Sequence, residues 1–202
     1  MFSYRTISEP VAGGYREKGS KFIAFAYPVV SESEIRHHLD MLRKEYFDAR
    51  HHCYAWMLGA GKEQFRAYDD GEPNHSAGDP ILGQIRSHNL TNVLVVVVRY
   101  FGGVKLGVGG LVNAYRTAAA DALKNATIIE KEVTTTFTID YDYTASAEVM
   151  RLVKEFDLKV VDQIHADRAV ITVLTQVRRK NQLRERLALL KALNRDILFT
   201  EL

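Results

Sequence analysis

The chain has 202 residues, a length that suits one large domain or two small ones. Hydrophobic residues make up 47% and charged residues 26%, which excludes a disordered, collagen-like or coiled-coil protein. The net charge of +2 implies no particular partner, and the single cysteine, Cys53, excludes a disulfide framework and a cysteine-based zinc site. Because no apolar signal core or membrane-length apolar run is found, we expect a cytoplasmic protein without a membrane partner.

Alternating apolar and aromatic residues open the chain and predict three strands, at about 4–7, 11–17 and 22–30. Ser31 and Glu34 then form a capping box, in which the serine hydroxyl accepts from the third helical N–H. The apolar residues that follow have helical spacing and predict an amphipathic helix with one buried face, Ile35, Leu39, Leu42 and Tyr46.

The next part of the chain alternates short strands with helices. Strands are predicted at about 53–58 and 65–68, and a helix at about 81–87. Residues 93–99 are rich in valine, a pattern typical of a central strand that is covered on both faces. A glycine-rich loop and an alanine-rich helix at about 109–124 complete this half of the chain.

The last part of the chain has a different order of elements: strand, helix, strand, strand, helix, strand. The strands lie at about 134–141, 160–165, 169–177 and 197–200, and the helices contain the apolar stripes 149–156 and 183–190. Thr144 or Ser146 is the predicted cap of the first of these helices. This βαββαβ order is that of a ferredoxin-like unit. We therefore predict an α+β protein with two domains, 1–130 and 131–202, that meet near 128–134.

The strongest local motif is a glycine-rich segment between the valine-rich strand and the helix after it. Five glycines lie within nine residues: Gly102, Gly103, Gly107, Gly109 and Gly110. Arg99, Lys105 and Arg116 add charge, and residues 81–120 contain no Asp or Glu. A helix N-terminus behind such a loop can hold an anion or a nucleic-acid backbone, although neither common phosphate signature matches. The alternative is a turn whose glycines only permit strand–helix packing.

A second motif is the polar loop at 69–80, DDGEPNHSAGDP. Asp70, Glu72 and His75 could supply acid–base groups or metal ligands, which makes them the candidate catalytic residues. The same composition is found in any turn-rich loop, so a catalytic role stays open. We predict no cofactor and no defined metal site.

Two adjacent histidines, His51 and His52, precede a predicted strand. Adjacent residues of an extended chain point to opposite faces, so the pair cannot jointly chelate one ion, although one of them can face the glycine loop. Cys53 has no sign of activation and is expected to be buried.

The last helix carries a secondary basic face, formed by Arg178, Arg179, Lys180 and Arg184. Such a cluster can follow a phosphate backbone. It is also typical of a solvated helix surface, and the sequence leaves both interpretations open.

The chain resembles the IMPACT/YigZ family along nearly its whole length. The matching segments are KGSKFIAFAYPV at 18–29, HHCYAWMLG at 51–59, DDGEPNHSAGDPIL at 69–82 and NVLVVVVRYFGGVKLGVGGLVNAYRTAA at 92–119. Bacterial members also carry the C-terminal βαββαβ domain. The chain departs from the family at His75-Ser76, where Gly-Thr or Gly-Ser is usual, and at Asn113, which replaces a usually basic residue.

The resemblance implies an N-terminal α/β sandwich like a ribosomal small-subunit protein domain and domain IV of elongation factor G. It implies a C-terminal domain like domain V of that factor. Known eukaryotic members restrain the kinase that shuts down translation initiation during amino-acid starvation, through an additional RWD domain. We therefore expect a binding protein that regulates translation, with RNA, the ribosome or a phosphate-containing ligand as partner. The alternatives are an enzyme acting on a phosphorylated small molecule at the glycine loop, and a protein-interaction module.

Overall fold

The computed structural model describes residues 1–193 and 196–202, and the chain divides into two compact units. The first unit comprises residue 1 and residues 3–131, and the second comprises residue 2 and residues 132–202. Among the described helices, none combines the length and the hydropathy that a bilayer-spanning segment needs.

The chain up to residue 132 forms one sheet of five strands and one of two. Its elements are β1 (Ser3–Ile7), β2 (Val11–Glu17), β3 (Ser20–Pro28), α1 (Glu32–Glu45), β4 (His51–Leu58), β5 (Gln64–Tyr68), α2 (Gly78–Ser87), β6 (Val93–Tyr100), α3 (Gly107–Lys124) and β7 (Ile128–Glu132). The larger sheet has the order β2-β3-β6-β4-β5, and all its neighbouring strands are antiparallel. Strand β1 pairs with β7.

Strand β6 lies at the centre of the five-stranded sheet, and residues 93–98 are fully buried. Since side chains alternate along a strand, Val93, Val95 and Val97 pack into the core that includes α2 and α3. The other side chains of β6 pack with the buried face of α1. The prediction of a central strand covered on both faces is confirmed.

Helix α1 begins at the predicted capping box. Ser31 Oγ accepts a hydrogen bond from the N–H of Glu34 at 3.2 Å. The Glu34 carboxylate reaches back past the cap residue and accepts from the N–H of Val30 at 2.8 Å. Both contacts satisfy N–H groups that have no partner inside the helix or before it.

The second unit forms a four-stranded antiparallel sheet with two helices. Its elements are β8 (Thr134–Tyr141), α4 (Ser146–Glu155), β9 (Lys159–His165), β10 (Ala169–Gln176), α5 (Lys180–Ala192) and β11 (Ile197–Glu201). The strand order is β11-β8-β10-β9, and the buried face of the sheet shares one core with both helices. The predicted βαββαβ order is confirmed.

Several element boundaries differ from the prediction, and one strand was not predicted. Neither Thr144 nor Ser146 caps α4, because a 3₁₀ turn at 143–145 precedes the helix and Asp142 accepts from both the N–H and the hydroxyl of Thr144. Helices α2 and α3 begin three and two residues earlier than predicted, at glycines whose helix propensity is low. Strand β7 is absent from the prediction because its mostly charged residues give a weak strand pattern.

Candidate functional site

The polar loop 69–80 and the segment 101–107 meet at a cleft of about 460 Å³ in the first unit. The start of β4, the end of β6 and the first turn of α3 also contribute to its walls. The cleft is concave, and its volume lies within the range of small-ligand sites. The structure therefore brings the two main motifs of the sequence together.

A buried ion pair joins the two motifs. Glu72 is 8% exposed and Arg99 6% exposed, and Arg99 Nη1 donates to Glu72 Oε1 at 2.5 Å. The hydroxyl of Tyr115 donates to the same oxygen at 2.7 Å. Two donors on one carboxylate oxygen offset the cost of burying this charge.

Because Arg99 is paired with Glu72, it adds no free charge to the cleft. Its Nε is buried and has no hydrogen-bond partner among the described residues. Lys105 and Arg50 are exposed, line the same cleft, and form no ion pair within the described part of the chain. These two side chains are the uncompensated cations of the cleft.

Tyr115 is a site residue that the sequence analysis misses. It lies on the buried face of α3, fully buried, and its hydroxyl is 3.3 Å from the thiol of Cys53. The Cys53 thiol also donates to the carbonyl of Asp69 at 3.0 Å. Burial raises the pKa of both Cys53 and Tyr115, so both are neutral at physiological pH. Cys53 is buried as expected. The sequence gives one indication of this role: Tyr115 is a polar aromatic residue on an otherwise alanine-rich helix face.

The two histidines at the start of β4 have different surroundings. His51 lines the cleft, its Nδ1 lies 2.7 Å from the carbonyl oxygen of Asp70, and its Nε2 lies 3.9 Å from Glu72 Oε1. His52 is buried, and burial lowers its pKa more than the Asp70 carboxylate raises it. As predicted for adjacent strand residues, the two side chains do not share one site.

The two aspartates that open the polar loop hold its backbone in place. Asp69 Oδ1 accepts from the N–H groups of Ala77 and Gly78 at 3.0 and 2.8 Å, which caps the start of α2. Asp70 Oδ2 accepts from the N–H of His52 at 2.7 Å. The Asp70 carboxylate is therefore bound to the main chain. The main-chain carbonyl of Asp70 orients the ring of His51.

His75 and Arg116 do not line the cleft. They lie instead in a neighbouring groove of about 480 Å³ that also contains Asp79. His75 Nδ1 lies 2.7 Å from Asp79 Oδ2, and both side chains are largely exposed. Of the three candidate catalytic residues, only Glu72 reaches the cleft. No group of three or more His, Cys, Asp or Glu residues that could hold a metal ion exists among the described residues.

Four of the five motif glycines have a role in the fold. A Cβ at Gly102 would lie 1.9 Å from the carbonyl carbon of Gly19, so this glycine permits two segments of main chain to cross. Gly103 and Gly107 have positive φ values of +86° and +72°, which glycine adopts freely. A Cβ at Gly110 would lie 3.0 Å from the Cβ of Leu106. Gly109 has neither constraint, because apart from its chain neighbours and the adjacent helix backbone no heavy atom of the described residues lies within 4 Å of its ideal Cβ position, and its φ is not positive.

The first turn of α3 faces the cleft without a capping side chain. Leu106 is the N-cap residue and forms no side-chain cap hydrogen bond, no acidic residue lies in the first turn, and no side chain of the described residues accepts from its N–H groups. Gly107 and Val108 of this turn line the cleft. Unpaired N–H groups and the positive end of the helix dipole therefore lie beside Lys105.

The secondary basic face of the second unit is largely paired. Arg178 contacts Glu132, and Lys180 and Arg184 both contact Glu201, whose pKa these hydrogen bonds lower. Arg179 donates to the carbonyl oxygens of residues 155 and 156, at the end of α4. These contacts favour a structural role for the cluster.

Comparison with known proteins identifies the family. The profile of the Impact N-terminal domain matches residues 18–123, more than half of the chain. The chain belongs to the IMPACT family. The family member YigZ of Escherichia coli strain K12 is 34% identical over 164 residues, covering 80% of each chain. The member YvyE of Bacillus subtilis strain 168 is 30% identical over 165 residues, covering 82% of this chain and 76% of its own.

A crystal structure of a protein described as hypothetical shares the fold. It is 29% identical, covers 98% of this chain and 97% of its own, and has a TM-score of 0.78. The similarity therefore extends through both units of this IMPACT family protein.

The position of His75 gives a physical reason for the glycine that is usual there in the IMPACT family. His75 has a φ of +63°, in the left-handed region that glycine adopts without steric cost. This chain places a histidine in that conformation, where its N–H donates to Asp69 Oδ2 at 2.8 Å. The substitution keeps the turn and adds strain.

Proposed function

We propose that this protein binds single-stranded RNA at the cleft and acts in the regulation of translation. Membership of the IMPACT family supports the role in translation. The properties of the cleft support RNA as the ligand. The candidate binding residues are those that the cleft and the adjoining helix turn present: Arg50, Lys105, Gly107 and Gly109.

The observation that carries the proposal is the uncapped first turn of α3 beside Lys105. Helix N-termini bind anions because their N–H groups lack partners and the helix dipole favours negative charge. A phosphate bound there would lie within reach of the exposed cations Lys105 and Arg50. Because Gly109 has no side chain, a phosphate can approach the helix backbone closely. The fold itself does not require a glycine at this position.

The Glu72–Arg99 pair makes the floor of the cleft rigid. Both side chains are more than nine-tenths buried and are fixed by short hydrogen bonds. The floor needs no rearrangement before a ligand binds, which reduces the entropic cost of binding. The exposed ring of Phe101 lies at the rim, with its centroid 5.7 Å from the Arg99 guanidinium carbon, and offers a surface for an unpaired base.

The proposal is tested by titrating a fluorescent single-stranded RNA of 12 nucleotides at several salt concentrations. Loss of one phosphate contact lowers the salt slope of log K for a single strand by about 0.7. We expect Lys105→Ala to lower the slope by this amount and to weaken binding most at low salt. Lys124→Ala is the matched control, because it removes the same charge from the opposite end of α3. No binding by the parent protein at low salt, or equal slopes for both variants, would contradict the proposal.

A second candidate function is an enzyme acting on a phosphorylated small molecule. The observation that favours it is His51, an imidazole beside a cleft of about 460 Å³, the size of a small-ligand site. The test is thermal unfolding with inorganic phosphate or a nucleoside monophosphate in place of RNA. A rise in unfolding temperature that Lys105→Ala removes, without any RNA binding, would favour this function over the first.

A further inference from the structure

The ring of His51 has a fixed tautomer. Its Nδ1 lies 2.7 Å from the carbonyl oxygen of Asp70, and a carbonyl oxygen only accepts hydrogen bonds. Nδ1 therefore carries the hydrogen, and in the neutral ring Nε2 is a hydrogen-bond acceptor. The carbonyl that orients the ring is itself held in place, because the Asp70 carboxylate is bound to the N–H of His52.

The acceptor nitrogen of His51 has no hydrogen-bond partner in the part of the chain that the structure describes. Glu72 Oε1 is 3.9 Å away, beyond hydrogen-bond distance, and no hydrogen bond to Nε2 is found among the described residues. The side chain is 13% exposed and lines the cleft. The other uncompensated polar groups of the cleft, on Arg50, Lys105 and the first turn of α3, are donors. The cleft therefore presents the acceptor Nε2 of His51, and the Glu72 carboxylate behind it, close to these donors.

A ligand that satisfies this arrangement carries an anionic group and, close to it, a hydroxyl or amine donor. In the sugar–phosphate backbone of RNA the donor is the ribose 2′-hydroxyl, which DNA lacks. We propose that His51 selects RNA over DNA by accepting a hydrogen bond from the 2′-hydroxyl of the nucleotide in the cleft. This inference rests on the proposed function, since it presupposes that RNA binds there.

The test compares three single-stranded oligonucleotides of one sequence, as RNA, as 2′-fluoro RNA and as DNA, by fluorescence anisotropy at pH 8 and low salt. The 2′-fluoro group keeps the sugar pucker of RNA but cannot donate. We expect the parent protein to bind RNA about fivefold more tightly than 2′-fluoro RNA, the factor expected of one neutral hydrogen bond. DNA should bind no more tightly than 2′-fluoro RNA.

His51→Asn removes Nε2 and keeps an N–H donor near the position of Nδ1, so the contact with Asp70 can persist. We expect this variant to bind RNA and 2′-fluoro RNA equally, at the affinity of the parent for 2′-fluoro RNA. His37→Asn, on the exposed face of α1, is the matched control and should retain the fivefold preference.

Each outcome separates this inference from the proposed function. Equal binding of RNA and 2′-fluoro RNA by the parent protein would overturn the selection of RNA while leaving RNA binding intact. So would a His51→Asn variant that retains the preference, or one that loses affinity for all three oligonucleotides alike. No binding of any oligonucleotide by the parent would overturn both.

Discussion

Arg99 and Glu72 are 27 residues apart in the chain and form a buried ion pair with an N–O distance of 2.5 Å. Arg99 ends the valine-rich region of β6, and Glu72 lies in the polar loop. Each side chain has lost nearly all contact with water, so each depends on the other for compensation of its charge. The pair therefore connects the two motifs that form the cleft.

We expect Glu72→Leu and Arg99→Met each to lower the free energy of unfolding by about 3–5 kcal/mol, because each leaves a buried charge unpaired. The double variant should be more stable than the sum of the two losses predicts, since it removes both charges. Chemical denaturation of the four proteins measures the coupling. The exposed pair Glu32–Arg36 is the control and should show a coupling below about 1 kcal/mol. Additive losses at Glu72 and Arg99 would contradict this prediction.

The pH dependence of stability should include a contribution from His52. Burial lowers the pKa of His52 in the folded protein below its ordinary value of 6.5. Between the lowered folded value and 6.5, the unfolded chain binds more protons, so stability falls as the pH falls through this window. His52→Leu should therefore lose less unfolding free energy between pH 7.5 and pH 5.5 than the parent protein loses.

Denaturant unfolding at the two pH values measures the loss. His165→Asn provides the comparison, since it removes an exposed histidine from β9 and should keep the loss of the parent. If His52→Leu and the parent protein lose the same free energy of unfolding between the two pH values, the buried imidazole of His52 is not the source of the acid sensitivity.

The elements that the sequence predicts are those whose pattern is local. The valines of β6, the capping box at Ser31 and the βαββαβ order each depend on residues that are close in the chain. The site depends on contacts over long separations, such as the one between Tyr115 and Glu72, 43 residues apart. Residue type and spacing carry little information on such contacts, because the packing of α3 against the sheet creates them.

The sequence also did not predict that the acidic residues of the polar loop have different roles. Asp69, Asp70 and Glu72 are similar as residue types, but the positive φ values of Asp70 and Gly71 turn successive side chains in different directions. Asp69 therefore caps α2, whereas Glu72 enters the core beside Arg99. A loop sequence does not specify such dihedral angles.

The left-handed conformation of His75 predicts a stabilising substitution. His75→Gly should raise the free energy of unfolding by about 0.5 kcal/mol, because relief of the positive φ outweighs the greater chain entropy of glycine. The exposed contact with Asp79 that is lost has little value. Asn74→Gly, one residue earlier at a position without positive φ, should instead lower stability. The same sign for both variants in chemical denaturation would contradict the strain at His75.

A fragment of residues 132–202 should fold by itself. This unit has its own sheet and its own core, in which both α4 and α5 pack on the buried face of β8 and β10. We expect a single cooperative unfolding transition in denaturant, followed by circular dichroism. Leu187→Ala, a fully buried position of that core, should shift the transition to lower denaturant concentration. A gradual change without a transition would show that the fragment is not an independent domain.

Gly109 allows the binding role of the glycine loop to be separated from its folding role. An alanine at this position would meet no atom of the described residues within 4 Å beyond its chain neighbours and the adjacent helix backbone, and it would raise helix propensity. Gly109→Ala should therefore be as stable as the parent or more stable by up to about 1 kcal/mol. If a phosphate approaches the first turn of α3 closely, the added methyl group should weaken RNA binding at every salt concentration, unlike the salt-dependent effect of Lys105→Ala. Gly83→Ala, on the neighbouring helix α2, also meets open space and serves as the control that should bind normally. If a stable Gly109→Ala variant binds RNA with unchanged affinity, the glycine-rich segment has structural roles but does not bind the phosphate.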